Sequence, residues 1–284
     1  MEILSIADSP FHTLAYRNVI PRHGIITVHL PILRAVVDHL PSGLEAIVAT
    51  ADLQGRGLER EDGGPSPLLG ELLAEELETL AKRGEIPSPD ATGVILAGDL
   101  YSRPELDCRG GSGDVRVVWD AFARNFRWVA GVAGNHDFFG PRGWSKPDVE
   151  TFRRRKDICY LDGNSVTLDG LRIGGVSGTL GNPNKPHRKL EGDFCDSVER
   201  LVTLGTDMLV MHESPAATVK SDEPDAADIE LLGRPSVRAV LECSQPTLVI
   251  CGHAYWRIPL ATLSNGTQVL NVDSRVVILQ SAKS

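Results

Sequence analysis

Five apolar runs in this 284-residue chain each stop at a polar cluster able to grip a cation: Asp52, Asp99, Asn135-His136-Asp137, His212 and His253. Carboxylate oxygen, amide oxygen and imidazole nitrogen form a mixed hard and borderline donor set. Such a set suits manganese, iron or zinc rather than calcium or a thiolate-bound metal. Any one of the aspartates taken alone reads equally well as a helix N-cap. The series of strand ends is what points to metal.

The elements that must carry these residues are legible around them. Glu45–Ala51, Gly93–Ala97, Arg127–Ala133, Met208–Met211 and Thr247–Cys251 are short apolar runs that read as buried strands. Leu68–Arg83 has helical apolar spacing, with Lys82 and Arg83 in its last turn and Gly84 beyond. Asp114–Phe126 is also helical in pattern, with Asp114 as the expected N-cap. Asp169-Gly170 and Asn265-Gly266 sit between alternating runs and predict two tight hairpins, so antiparallel pairs are expected beside parallel ones. In an open α/β sheet, ligands bind beyond the carboxyl ends of the strands. The five clusters should therefore meet at one rim.

Composition narrows the class. Hydrophobic residues at 42% and charged residues at 24% exclude a disordered or low-complexity chain. The 29 Lys and Arg against 38 Asp and Glu leave a net charge of −9, which disfavours nucleic acid as the main partner. No apolar run approaches the ~20 residues that a membrane-crossing helix needs, so no membrane role is expected. The N-terminal residues carry no basic region of a signal peptide, and the five cysteines include no C-x-x-C pair. A cytoplasmic enzyme with free thiols is the fitting expectation. Residues 1–42 fit the strand–helix rhythm poorly and are expected to be an N-terminal extension packed on a single domain spanning 43–284.

The order Asp52…Gly98-Asp99…Gly134-Asn135-His136-Asp137…His212…Gly252-His253 resembles the calcineurin-like metallophosphoesterase superfamily from about Ala46 onward. That resemblance implies an α/β fold, a four-layer α/β/β/α sandwich of two mixed β-sheets flanked by helices, around a two-metal site that hydrolyses phosphoesters. By position, Asp99 would bridge two ions, and Asn135, His212 and His253 would complete the second ion's ligands. Asp52 would serve the first ion. His136 would act as the general acid and, with Asn135, contact the phosphate, while Asp137 would orient His136 or its loop. A metal-activated hydroxide would be the nucleophile. An alternative first motif at Asp8 lies 91 residues before Asp99; Asp52 lies 47 before it, which suits one strand–helix unit.

Two departures fall on the first metal site. Gln54 stands where the family has histidine after the first aspartate, and Tyr255 stands where the second histidine of the last motif belongs. Gln54 could coordinate through its amide oxygen and Tyr255 as a phenolate, moving the site toward Fe³⁺, Mn²⁺ or Mg²⁺. Alternatively one ion is held, and both side chains bond to phosphate. His187, within the basic run Lys185–Lys189, is a candidate phosphate contact. The expected activity is metal-dependent hydrolysis of a phosphomonoester or phosphodiester, on a phosphorylated small molecule or nucleotide. The rival expectations are a catalytically weakened binding scaffold on the same fold, and a nuclease of the superfamily, which the acidic charge disfavours.

Overall fold

The computed structural model describes residues 1–20, 22–59, 64, 66–220, 227–245 and 247–282. In chain order, β1 (Ile3–Ile6), β2 (His12–Ile20), β3 (Gly24–Val37) and β4 (Ala46–Ala51) come first. They are followed by α1 (Leu69–Lys82), β5 (Thr92–Leu96), α2 (Arg116–Asn125), β6 (Trp128–Gly131), α3 (Lys146–Arg153) and β7 (Cys159–Tyr160). The second half holds β8 (Asn164–Leu168), β9 (Leu171–Val176), α4 (Glu191–Thr203), β10 (Met208–Met211) and α5 (Pro235–Glu242). It closes with β11 (Leu248–Cys251), β12 (Leu260–Thr262), β13 (Gln268–Asn271) and β14 (Arg275–Ser281).

Two large mixed sheets result. The first runs β1-β3-β14-β4-β5-β6-β7, with β2 paired to β3. The second runs β8-β9-β10-β11-β13-β12. Strand alternation decides the layering. In β4 and β5, Val48, Val94 and Leu96 face a core shared with α1, α2 and α3, while Ile47, Ala49, Ala51 and Ile95 face the second sheet. In β10, Met208 and Val210 face the first sheet, and Leu209 and Met211 face α4 and α5. The order helix, sheet, sheet, helix follows, because every central strand is apolar on both faces. Alanines at the rim end of the central strands, Ala51 and Ala97, keep the sheets close just where the polar clusters begin.

The segment expected as an N-terminal extension supplies three strands of the first sheet. β3 runs parallel to β14 over Ile32–Val37, and β2 pairs with β3 along its whole length. Two local expectations need correction. Val115, not Asp114, occupies the N-cap of α2; the Asp114 carboxylate instead accepts from the Arg116 N–H at 3.1 Å and pairs with the Arg116 guanidinium at 2.7 Å. Asp169 and Gly170 both have positive φ (51° and 85°), as a two-residue turn requires. Asn265-Gly266 does join the antiparallel pair β12 and β13, but in a loop longer than two residues, closed by Leu263 N–H to the Thr267 carbonyl at 2.8 Å. The Asn265 side chain donates to the carbonyls of Leu241 and Ser244, bracing the end of α5. In the glycine- and proline-rich loop at 55–67, residues 60–63 and 65 lie outside the described residues. No helix among the described residues is long and apolar enough to cross a membrane.

Candidate metal centre

The rim at the carboxyl ends of β4, β5, β10 and β11 collects the cation-binding candidates. Asp52, Asp99 and His253 each follow a strand and each adopt a left-handed backbone, with φ of 54°, 56° and 67°. Outside glycine this conformation costs on the order of 1 kcal/mol or more, and it clusters at functional sites. Here it turns the chain sharply at the strand end, so the side chain stays at the rim. Two glycines make room for it. A Cβ on Gly134 would lie 2.0 Å from Asp99 Oδ1, and one on Gly98 would lie 2.4 Å from the Gly134 nitrogen.

Donor atoms of Asp99, His212 and His253 all lie within 4.8 Å of one another. His212 is fully buried, and its Nδ1 donates to the Ala97 carbonyl at 2.7 Å. That bond fixes the tautomer and aims Nε2 at Asp99 Oδ2, 3.4 Å away and beyond a normal hydrogen bond. The His253 ring centroid lies 5.1 Å from that of His212. Asn135 is buried on the adjoining loop, and among the described residues its Oδ1 has no hydrogen-bond partner; neither has His212 Nε2. Unpartnered buried polar atoms of this kind are rare and call for an explanation.

Charge gives the same answer. Asp52, Asp99, Asp137 and Asp273 are all buried at this rim. Burial, reinforced by Asp273, pushes Asp52 well above the usual carboxylate range. Burial and then Asp99 raise Asp137 to about 6. Burial alone would raise Asp99 too, but His212 overcomes it and holds that carboxyl at about 2. Reciprocally, burial opposes a charge on His212, yet Asp99 outweighs it and lifts the imidazole to about 10. A proton on His212 thus neutralises a crowded acidic rim. Two lone donors, a carboxylate and a second imidazole fit a divalent cation in its place.

The remaining residues are arranged around these donors. Asp52 Oδ2 accepts the His253 backbone N–H at 2.8 Å, tying the two strand ends together. Asp137 accepts three backbone N–H groups, those of Asp99 at 2.9 Å, Leu100 at 2.8 Å and Gly134 at 2.8 Å. It therefore straps the Asp99 turn to the Asn135 loop. The His136 imidazole is instead hydrogen-bonded through Nδ1 to the Ser112 hydroxyl at 2.9 Å. Its backbone N–H donates to Asp99 Oδ1 at 2.9 Å. Gln54 donates from Nε2 to Asp99 Oδ2 at 3.2 Å.

Tyr255 is 59% exposed, with the Arg275 guanidinium 4.9 Å from its ring centroid. Among the described residues it makes no hydrogen bond to Asp99, His212 or His253. His187 packs edge-on against Phe139 and Trp144, and its Nε2 is buried and unpartnered. Burial lowers its pKa to about 4, so it brings no charge. Lys189, from the same basic run, is tied to Asp162 at 2.8 Å.

Some contributors were missed in sequence reasoning. Asp273 follows β13 much as Asp52 follows β4, and the Asn271-Val272-Asp273 end of an apolar run was the available signal. Ser112 reaches His136 because Gly113 N–H bonds to the His136 carbonyl at 3.1 Å, which no local pattern announces. Ser214 and Asn271 hold the last loop, by bonds from Ser214 Oγ to the Gly252 carbonyl and from Asn271 Nδ2 to the Ala254 carbonyl.

A family model described as calcineurin-like phosphoesterase matches residues 46–256, from β4 through the loop that carries His253. The chain belongs to the calcineurin-like phosphoesterase family. Among solved structures it is similar to the protein TT1561 of Thermus thermophilus, at 16% identity and a TM-score of 0.49, covering 80% of this chain and 88% of that one. It is also similar to a dimetal phosphatase from Danio rerio, at 15% identity and a TM-score of 0.48, covering 82% and 87%. No curated protein matches the chain. Membership of the calcineurin-like phosphoesterases makes this a metal-dependent phosphoesterase fold, and the rim donors fit the metal that such chemistry uses.

Proposed function

We propose that the chain hydrolyses phosphoesters with His136 as the general acid. The observation that carries this reading is the pair of buried, unpartnered donors, Asn135 Oδ1 and His212 Nε2, set around Asp99 and His253. Asp99, Asn135, His212 and His253 would hold a divalent ion, manganese, iron, zinc or magnesium, and Asp52 backs them through the His253 N–H. A bound ion supplies Lewis acidity and brings the pKa of a water toward neutrality. Asp99 fixes the His136 backbone, and Ser112 holds its Nδ1, so the ring presents Nε2 for proton delivery to the leaving oxygen. The Gln54 amide N–H already engages Asp99 Oδ2, which favours one ion over two.

The substrate we infer is a phosphorylated small molecule or a nucleotide. The net charge of −9 disfavours nucleic acid as the substrate. The five cysteines are free thiols, which supports a reducing compartment such as the cytoplasm. The rival reading, a binding scaffold without catalysis, draws on Gln54 and Tyr255 standing where the family has histidines.

The test is a pair of variants assayed for bound metal and for turnover of a chromogenic phosphodiester. His136→Ala should keep its metal and lose at least a hundredfold in rate. Asp99→Ala should lose both. Undiminished turnover in His136→Ala would discard the assigned acid. Well under one ion per chain in the unmodified protein, purified without chelators, would favour the scaffold.

A further inference from the structure

A cavity of about 690 Å³ does not contain the metal donors but opens beside them on the same rim. Its walls come from four places. Ile6 and Asp8 lie at the end of β1, Pro31 and Leu33 on β3, Tyr255 and Arg257 to Pro259 on the stretch between β11 and β12, with Leu260 opening β12, and Ser274 and Arg275 at the start of β14. All four are rim ends: β1 is antiparallel to β3, β3 is parallel to β14, and β14 is antiparallel to β4 with Arg275 opposite Ala51. The volume is that of a small-molecule site, and the lining mixes apolar wall with a few polar groups, as such sites do.

We propose that this cavity receives a flat aromatic ring carried on the non-leaving arm of a phosphodiester substrate. The proposal rests on the phosphoesterase reading and on His136 as its acid.

Position decides which arm. The sheet order β3-β14-β4-β5-β6 puts His136, beyond β6, on one flank of Asp52 and Asp99, and the cavity, at β14 and β3, on the other. Neighbouring strands are about 4.8 Å apart, so the cavity begins roughly 10 Å from the Asp99 strand. The leaving oxygen must face His136. A group pointing the opposite way therefore belongs to the ester that is not cleaved, which a monoester lacks.

Chemistry decides the occupant. Tyr255 is 59% exposed, and the Arg275 guanidinium covers its ring at 4.9 Å. Arg275 is itself only 4% exposed and is anchored by a bond from Nη2 to the Trp256 carbonyl at 2.5 Å. A buried cation thus fixes an exposed aromatic ring, a platform suited to stacking. Ile6, Leu33, Ile258 and Pro259 exclude water from the ring, and Asp8 and Arg257 offer an acceptor and a donor to its polar edges.

The probes are bis(p-nitrophenyl) phosphate and methyl p-nitrophenyl phosphate, which share a leaving group and differ in the retained arm. With the full-length protein loaded with Mn²⁺, the aryl-armed diester should be favoured in kcat/KM by at least tenfold. Tyr255→Ala should erase most of that ratio, and Tyr255→Phe should keep it. Ile258→Trp fills the cavity from a half-exposed position and should erase the ratio too. Calorimetric binding of the products, p-nitrophenyl phosphate against methyl phosphate, reads the same preference without turnover. If both diesters turn over and the ratio ignores Tyr255→Ala and Ile258→Trp, the cavity assignment fails. If neither diester turns over yet the binding preference is present and lost in both variants, the cavity stands and the hydrolase reading falls. If neither turnover nor binding prefers the aryl arm, the assignment is overturned.

Discussion

Asn135→Ala separates a metal-binding reading of the rim from a purely structural one. The Asn135 Oδ1 atom is buried and unpartnered. Such a group costs on the order of 1–3 kcal/mol relative to a satisfied one. Deleting it from the metal-free protein removes that penalty and loses only the packing of a small amide. Asn135→Ala measured in chelator should therefore match the unmodified protein or exceed it by about 1 kcal/mol, whereas most buried substitutions destabilise. Metal reverses the comparison. An ion at a hundred times its Kd stabilises the folded state by about 2.7 kcal/mol, or roughly 5–10 °C in Tm for a chain of this size. Loss of one oxygen ligand should weaken affinity at least tenfold, about 1.4 kcal/mol, and the stabilisation should shrink accordingly. Urea unfolding with and without Mn²⁺, on both proteins, measures all four quantities. If Asn135→Ala loses more than about 2 kcal/mol in chelator and retains the full response to Mn²⁺, Oδ1 is structural and the donor set is wrong.

Two further variants probe how the rim is held. Asp137→Ala strands three buried N–H groups, at about 1–3 kcal/mol each, and relieves about 3 kcal/mol of carboxylate penalty implied by a pKa raised to about 6. The expected net loss is about 3 kcal/mol by urea unfolding at pH 7; a loss under about 1 kcal/mol would show that the strap does not bear on stability. His187 carries a pH dependence of definite sign. Unfolded, the imidazole takes a proton near pH 6.5, while in the fold burial delays this to about 4, so the unfolded state binds more protons between those values. Stability should rise by about 2–3 kcal/mol from this one group between pH 4.5 and 7, and His187→Gln should lose that portion of the rise. An unchanged pH profile would place the His187 ring in solvent.

The central strands were legible in sequence because they are buried on both faces. Ala46–Ala51, Thr92–Leu96, Met208–Met211 and Leu248–Cys251 fall within a residue or so of the apolar runs that mark them, since a doubly covered strand needs no alternation. The first three strands were not legible for the opposite reason. β2 and most of β3 form a ribbon of half-buried and exposed residues, Pro31 interrupts the pattern, and the partner that places β3 is the C-terminal strand, more than 200 residues away. Nothing local encodes that pairing. The same ribbon reaches the rim, where the Tyr16 ring packs over Gly55.

The site divides along the same line. Asp99, Asn135, His212 and His253 each follow their own strand, so reading strand ends finds them. The two departures, Gln54 and Tyr255, have fates that depend on partners distant in sequence. Gln54 turns its amide to Asp99 because Gly110, from a separate loop, leaves room beside it. Tyr255 follows a backbone held by Asn271 at Ala254 and by Arg275 at Trp256, and its ring lies along the same guanidinium. At the Gln54 edge an amide N–H answers the carboxylate, and at the Tyr255 edge a buried arginine is seated against the ring. Each side chain is thus placed by a partner from another loop, Asp99 for Gln54 and Arg275 for Tyr255, which is why neither contact could be read from its own motif.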